Sequence, residues 1–376
     1  MEGLDTYFVA IVEANPGLRP RVGNPDELRS NRLHLTLDRL KHRVTAPEPG
    51  VAEAVDGAVI TVLNEEAVVC AALGNKGGIN LVVTYEAFAV KMLGAIRQEL
   101  IFARHQKDAG QSPGWLGVPV VATSHTWENA KNELSHQDPS MAEAMLGEPS
   151  DVSRVVFVPD SNTAAVVTQG VYKTQGQFWT LVVPKADTIP DLFTADEATR
   201  LLEQGALHFE WAGYDGASRR FILTAIGAYQ LEEVLKASAR LAERQLPHRV
   251  VYMLEPGRFR RPRSAGEQRH AAPSELVVSL YPEATPARLF VSHTRPEVVL
   301  GVLQPLHTGY STTSALGFIG QGGTLTVAGM LFVNRSTWAH ALDEAARLLS
   351  MSRQDLLTAQ ELAALDGQAS PHGVII

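Results

Sequence analysis

Short valine- and isoleucine-rich runs alternate with amphipathic stretches in the first half of this chain, and this alternation limits the folds open to it. The apolar runs are Val59–Leu63, Leu81–Thr84, Val118–Thr123, Val155–Val158 and Thr180–Val183. Each run is nearly continuous in apolar residues, which is typical of strands in a parallel sheet that is covered on both faces. Helical patterns lie between the runs, at Glu27–Lys41, Glu65–Leu73, Tyr85–His105 and Asn162–Tyr172. The alternation predicts a doubly wound α/β domain.

A second α/β set follows a proline-bounded break at Pro184–Pro190. Thr194 and Glu197 are three residues apart, a spacing that predicts a capping box at the start of a helix. Further strands are expected at Phe221–Ala225, Val250–Met253, Leu276–Leu280 and Leu289–Val291, and helices at Ala228–Arg244 and Thr337–Leu349. The length of 376 residues fits two domains, since one domain takes roughly 150 residues. We therefore predict two α/β domains, residues 1–188 and residues 189–376.

The composition excludes several classes of protein. Lys and Arg total 33 against 41 Asp and Glu, which gives a formal charge of −8, whereas nucleic-acid binding needs a concentrated basic surface. The single cysteine, Cys70, excludes an internal disulfide framework and a multi-cysteine zinc site. The apolar runs fall far short of the ~20 residues that a membrane-spanning helix requires, and the acidic N-terminus lacks a signal-peptide pattern. We expect a cytoplasmic protein that binds neither nucleic acid nor membrane.

One basic segment departs from the acidic balance of the chain. Residues 258–270 carry five arginines among proline and glycine, and this composition predicts a loop. Two interpretations stay open: a solvated basic loop, or a contact with an anionic ligand or another subunit.

Polar residues follow several of the predicted strands. They are Asn64 and Glu65, Tyr85 and Glu86, Ser124 and His125 with the downstream Lys131, Asn132 and His136, and Lys185. Ligands of open α/β sheets bind at the carboxyl ends of the strands, so we expect these side chains to converge on one edge. Carboxylate, imidazole, phenol and ammonium groups together suit proton transfer combined with anion binding. No phosphate-binding loop or nucleophile elbow occurs in the sequence.

At these same positions the sequence resembles the phosphoketolase branch of the transketolase-like, thiamine-diphosphate-dependent enzymes. The segments that carry the resemblance are Asn24-Pro25-Asp26-Glu27 with Ser30-Asn31-Arg32-Leu33, Val62-Leu63-Asn64-Glu65, Tyr85-Glu86-Ala87-Phe88, Thr123-Ser124-His125-Thr126-Trp127 with Ser135-His136-Gln137-Asp138-Pro139, Val183-Pro184-Lys185, and Glu210-Trp211-Ala212. The resemblance implies two three-layer αβα domains, a pyrimidine-binding domain at residues 1–188 and a transketolase C-terminal-like domain at residues 189–376.

The resemblance covers only the second half of a complete enzyme of this kind. Such enzymes hold the cofactor's diphosphate and Mg²⁺ on a further domain with a Gly-Asp-Gly motif, and that tripeptide does not occur here. The resemblance therefore implies a separate partner chain that carries the diphosphate-binding domain, with two copies of each chain in the assembly. Thiamine diphosphate and Mg²⁺ are the expected cofactors, and no metal ligand is expected in this chain.

Residue roles follow from the resemblance where the motifs match. Glu65 is the expected partner of the aminopyrimidine ring and activates the cofactor, while the adjacent Glu66 is turned away by about 100° on a helix. Tyr85 and Phe88 are expected to line the cofactor site, and Tyr85 and His136 to serve catalysis beside Glu65. The residues expected to bind the substrate phosphate are Ser30, Arg32, Lys131, Asn132 and Lys185.

One position departs from the family pattern. Lys131 stands where phosphoketolases have an active-site histidine, and lysine is a poor proton shuttle at neutral pH unless it is desolvated. Three end reactions on a ketose phosphate therefore stay open: phosphorolysis, transfer of the two-carbon ketol unit, and epimerisation. A non-catalytic partner subunit and an unrelated small-molecule enzyme on the same fold are the further alternatives.

Overall fold

The computed structural model describes residues 1–26, 28–128, 130–186, 191–216 and 220–376. These residues form two compact units, the first made of residues 1–128 and 136–202, the second of residues 203–376 together with 130–135. No helix of the described residues has the length and apolar content needed to cross a membrane.

The first unit is built on a parallel sheet. Its strands are β1 Pro20–Asn24, β2 His42–Arg43, β3 Glu53–Ala54, β4 Val59–Thr61, β5 Ile79–Tyr85, β6 Val118–Thr123, β7 Ser153–Phe157 and β8 Phe178–Val182. Their order across the sheet is β3-β2-β4-β1-β5-β6-β8-β7, and all pairs are parallel. Every residue of β6, β7 and β8 is buried, as expected for strands between two layers of helices. The predicted fold class is confirmed.

Helices connect these strands. They are α1 Glu2–Ala14, α2 His34–Leu40, α3 Glu65–Leu73, α4 Glu86–Ala89, α5 Leu93–Asp108, α6 Ser140–Gly147, α7 Ser161–Tyr172 and α8 Ala195–Gln204, with 3-10 turns at Val90–Met92 and Ala130–His136. Gly23 in β1 allows α3 to approach closely, because a Cβ there would lie 2.8 Å from the Val68 carbonyl oxygen. This close packing fixes the start of α3 at the carboxyl edge of the sheet.

The second unit contains a smaller sheet. Its strands are β9 Ala206–Tyr214, β10 Phe221–Ile226, β11 His248–Met253, β12 Ala287–Ser292 and β13 Thr313–Leu316, in the order β13-β12-β10-β11-β9 with β9 antiparallel. Its helices are α9 Ala228–Glu243, α10 Ala265–His270, α11 Ser274–Leu280, α12 Pro296–Val302, α13 Val327–Val333, α14 Trp338–Leu348, α15 Arg353–Leu356 and α16 Ala359–Leu365, with 3-10 turns at Pro256–Arg258 and Gln304–Leu306. All residues of β10 and β12 are buried.

Three local predictions are wrong. The expected strand Leu276–Leu280 is part of helix α11, because a short apolar run does not distinguish a strand from a helix. The helix predicted from Glu27 starts only at His34, where Asp5 accepts hydrogen bonds from the backbone of Leu35 and Thr36; Glu27 lies outside the described residues. The arginine-rich segment is not entirely a loop, since Ser264 caps helix α10 within it.

The proposed domain boundary between residues 188 and 189 lies outside the described residues. In the described part of the chain the first unit continues to Leu202. Helix α8 packs there on α7: a Cβ at Gly170 would lie 2.8 Å from a methyl carbon of Leu202. The predicted capping box at the start of α8 is present, with the Thr194 amide and hydroxyl donating to the Glu197 carboxylate and the Glu197 amide to the Thr194 hydroxyl.

Candidate functional site

Glu65 occupies the first turn of α3, directly after the carboxyl end of β4. Asn64 caps this helix by accepting a hydrogen bond of 2.8 Å from the Ala67 amide. The Glu65 side chain is only 11% exposed, while Glu66 points to solvent. The two adjacent acids therefore differ in environment as helical geometry requires, and Glu65 is the one held at the sheet edge.

Three aromatic rings lie beside one another at the same edge. The ring centroids of Phe88 and His136 are 4.7 Å apart, those of Tyr85 and His136 6.0 Å, and those of Tyr85 and Phe88 6.3 Å, with edge-to-face orientations. Tyr85 ends β5, Phe88 follows within α4, and His136 ends the 3-10 turn that precedes α6. The structure thus brings together three of the residues predicted for cofactor binding and catalysis.

Two predicted phosphate ligands join this aromatic cluster. The Ser30 hydroxyl and the Tyr85 hydroxyl are 2.9 Å apart, and the Lys185 ammonium lies 5.9 Å from the centre of the Tyr85 ring. Glu128 fixes the backbone around Lys185, since its carboxylate accepts hydrogen bonds of 2.9 Å from the Lys185 and Ala186 amides. A hydroxyl and a cation therefore flank the phenol at the sheet edge.

The other predicted phosphate ligands have different surroundings. Arg32 adopts a left-handed backbone conformation (φ 60°) and lines a cavity of about 330 Å³ with Asp5 and His34. Lys131 and Asn132 are exposed residues of the 3-10 turn Ala130–His136, in the part of it that belongs to the second unit. Of the five predicted phosphate ligands, Ser30 and Lys185 are therefore the two that lie beside Tyr85 in the described contacts.

Sequence reasoning missed two polar residues of the site. The Lys91 ammonium lies 3.3 Å from Glu65 Oε2 and 4.6 Å from the centre of the Phe88 ring, so it links the acid to the aromatic cluster. Its spacing of three residues from Phe88 was the available signal, because such residues share a helical face. Asn24 ends β1, is fully buried, and donates to the Val83 carbonyl oxygen over 2.9 Å. It was missed because β1 contains a proline and a glycine, which are more typical of loops than of strands.

Apolar residues next to Glu65 are exposed. Leu63 is 86% and Val62 43% exposed, immediately before the cap of α3. Contiguous exposed apolar side chains beside a polar site are typical of a surface that another chain covers. Among the described residues, no group of three His, Cys, Asp or Glu side chains could hold a metal ion.

Part of the chain matches a known protein family. The family model of D-xylulose 5-phosphate/D-fructose 6-phosphate phosphoketolase matches residues 2–174, the part that contains the aromatic cluster and Glu65. Residues 2–174 of this chain are therefore similar to that family. The "Probable phosphoketolase" of Brucella abortus (strain 2308) is 26% identical to this chain over 340 residues, which is 88% of the chain and 42% of that protein. The chain therefore spans less than half the length of this relative.

Solved structures share the fold. Transketolase from Leishmania mexicana superposes with a TM-score of 0.70 at 16% identity, covering 93% of this chain and 45% of the transketolase chain. A structure described as a split gene transketolase, an inactive β4 tetramer, superposes with a TM-score of 0.62 at 16% identity. That match covers 93% of this chain and 98% of the other. The fold thus corresponds to part of one transketolase chain and to nearly all of the other.

Proposed function

We propose that this chain is the pyrimidine-side subunit of a split, thiamine-diphosphate-dependent enzyme that cleaves a ketose phosphate and handles the two-carbon ketol unit. The observation that carries the proposal is the placement of Glu65 at the sheet edge, beside the aromatic cluster of Tyr85, Phe88 and His136. A separate chain with the diphosphate-binding domain would supply the ligands for Mg²⁺ and complete the site, with two copies of each chain.

The residues present fit one end of the cofactor. A nearly buried carboxyl group can share a proton with a ring nitrogen of an aminopyrimidine, and the Phe88 and Tyr85 rings offer aromatic contact. When bound, thiamine diphosphate supplies a nucleophilic ring carbon that adds to the carbonyl of a ketose. Glu65 would hold the proton at the pyrimidine nitrogen, because its side chain is screened from water.

His136 is the group in this cluster best suited to move a proton on the substrate. An imidazole can both donate and accept a proton, and packing against Phe88 and Tyr85 holds the His136 ring at the sheet edge. Tyr85 donates or accepts at its hydroxyl beside Ser30. These two residues would orient a substrate hydroxyl and transfer its proton.

Cationic and hydroxyl groups near Tyr85 are proposed to bind the substrate phosphate. Ser30 and Lys185 both lie beside Tyr85, and we propose Arg32, Lys131 and Asn132 as further ligands. Lys131 supplies positive charge rather than a neutral-pH proton shuttle. This favours ketol transfer or epimerisation as the end reaction, with phosphorolysis as the outcome to be tested against them.

The decisive experiment compares the purified chain alone with the chain plus a diphosphate-domain partner. The isolated chain should bind thiamine diphosphate weakly or not at all and show no turnover, because a hydrogen bond and ring contacts are too little for a flexible, charged cofactor. Micromolar, Mg²⁺-dependent binding to the isolated chain in titration calorimetry would contradict the split-enzyme proposal.

Product analysis with the reconstituted pair then identifies the reaction. Xylulose 5-phosphate and fructose 6-phosphate would be offered with and without inorganic phosphate and an acceptor aldehyde. Acetyl phosphate indicates phosphorolysis, a new ketose indicates ketol transfer, and an epimeric ketose indicates epimerisation. Full cofactor binding without any turnover on these sugars would favour a non-catalytic subunit.

A further inference from the structure

The arginine-rich segment of the second unit forms one wall of a groove. The groove has a volume of about 420 Å³ and is lined on this wall by Arg260, Arg261 and Arg263, and on the other by Val302 and Gln304. None of the described residues that line it is acidic. In a chain with a net charge of −8, three guanidinium groups along one groove concentrate positive charge where an anion could enter.

A buried carboxylate supports the arginine wall. Glu267 is 1% exposed and holds Arg263 through hydrogen bonds from Nε and Nη2, and it also accepts the Arg263 backbone amide over 2.6 Å. The Ser264 hydroxyl accepts the Glu267 amide and starts helix α10. One buried carboxylate therefore fixes both the side chain and the backbone at Arg263, close in the chain to Arg260 and Arg261.

The charges on this wall oppose one another. Burial, and next the charge of Arg263, lowers the pKa of Arg260. Glu267 neutralises one positive charge of the three. Like charges in a partly desolvated site repel, and an anion bound in the groove would lower this repulsion.

A structural explanation accounts for only part of the cluster. The last residues of α12 and the 3-10 turn Gln304–Leu306 form the opposite wall, and a helix carboxyl end attracts a cation. One cation satisfies that end, whereas three arginines face it. Arg258, by contrast, donates to the Glu203 carbonyl oxygen and does not line the groove.

We propose that this groove binds a small phosphate-bearing anion. Arginine presents a planar fork that matches phosphate oxygens, Gln304 adds an amide, and the volume suits a small ligand rather than a polymer. The site belongs to the second unit and does not rest on the proposed function, which uses residues of the first.

Titration calorimetry of the full chain with inorganic pyrophosphate, at fixed ionic strength, tests the proposal. The wild-type chain should bind saturably, and both Arg261→Glu and Arg260→Gln should weaken binding at least about tenfold, the loss expected for a charge-assisted contact. Arg261 is exposed, so its substitution leaves folding intact. Arg269→Gln is the matched control, because Arg269 belongs to the same segment but not to the groove, and it should leave the affinity unchanged.

A second control separates this groove from the first unit. Arg32→Ala should retain the pyrophosphate affinity if the groove is the site. Loss of binding in Arg32→Ala alone, equal binding by the wild type and both groove variants, or no binding by the wild type would each overturn the proposal. Binding of polyglutamate without binding of pyrophosphate would overturn it in favour of an acidic protein contact.

Discussion

Lys91 Nζ lies 3.3 Å from Glu65 Oε2, and the two side chains differ sharply in exposure, 58% for the lysine and 11% for the glutamate. The same ammonium rests over the Phe88 ring. The carboxylate proposed to activate a cofactor therefore contacts an exposed surface cation. A hydrogen bond from Glu65 to a pyrimidine nitrogen would have to replace or share this contact.

Glu65→Gln should abolish turnover of the reconstituted enzyme while the fold survives. We expect a loss of at least about 100-fold, the scale of removing a positioned acid-base group. The measurement is the steady-state rate at saturating cofactor and substrate, with circular dichroism to check folding.

Glu66→Gln is the matched control for that substitution. Glu66 is in the same helical turn but exposed, and its loss should leave the rate within about twofold of wild type, because a solvated acid has no positioned role. Near-normal activity in Glu65→Gln would reject the assignment of Glu65.

Lys91→Met should lower the cofactor concentration needed for half-maximal activity. Because the Lys91 side chain is 58% exposed, water screens the ion pair, which should contribute about 1 kcal/mol, and the gain should not exceed about fivefold. Lys76→Met is the control: Lys76 pairs with Glu99 and lies over Trp115 at the amino edge of the sheet. A higher cofactor requirement in Lys91→Met would mean that the lysine assists binding instead of competing for Glu65.

Arg32→Ala should raise KM for phosphorylated sugars more than for the unphosphorylated forms, because a charge-assisted contact to phosphate is lost. Arg29→Ala serves as the control, since Arg29 is three residues away and forms an exposed ion pair with Asp38. Equal effects on both substrate classes would show that Arg32 has a structural role. This alternative needs a test because Arg32 adopts a left-handed backbone conformation (φ 60°).

Strands β5 to β8 of the first sheet were predictable because they are buried on both faces. Val118–Thr123 was predicted with its exact limits, and helix Glu65–Leu73 likewise, since Asn64 supplies an unmistakable cap. The strand predicted at Leu276–Leu280 was wrong because its sequence pattern is ambiguous. Its five residues carry no periodicity that separates a strand from a helix, and only the packing of the second unit decides between them.

The sequence predicted that the site lies at the carboxyl edge of the sheet. It did not predict which side chains contact one another there. The carboxyl ends of parallel strands meet, so the proximity of Tyr85, Ser30 and Lys185 follows from the topology. The contact of Lys91 with Glu65 does not, because it joins two helices whose relative position depends on Gly23 and the packing of α3. Side-chain pairs between separate elements require the tertiary structure.

Gln230→Met should stabilise the second unit. Gln230 is fully buried near the start of α9, and neither its amide nitrogen nor its amide oxygen has a hydrogen-bond partner among the described residues. A buried unpaired amide costs roughly 1–3 kcal/mol, which an apolar side chain of similar shape avoids. Urea unfolding should show a rise of that size in the free energy of unfolding, with the exposed Gln268→Met near zero. A fall in stability would show that the amide is satisfied by water.

The stability of the second unit should decrease between pH 6.5 and pH 4. Burial, and next the charge of Arg335, lowers the pKa of His340 to about 4, and burial also lowers the pKa of His248. The unfolded chain binds a proton at each histidine near pH 6.5 while the folded chain stays neutral, so stability is full above pH 6.5 and is lost as the pH falls. For His340 the loss reaches about 3 kcal/mol.

His340→Gln should flatten this pH dependence. Native-state hydrogen exchange in α14, which contains His340, measured at pH 7.5 and pH 5, reports the local free energy of unfolding after correction for the intrinsic exchange rates. His105→Gln, at an exposed position of the first unit, should leave the slope as it is in the wild type. If His340→Gln keeps the full slope, other groups carry the transition, with His248 the first to test, because its ring is buried and its Nε2 lies 2.7 Å from the Ser238 hydroxyl.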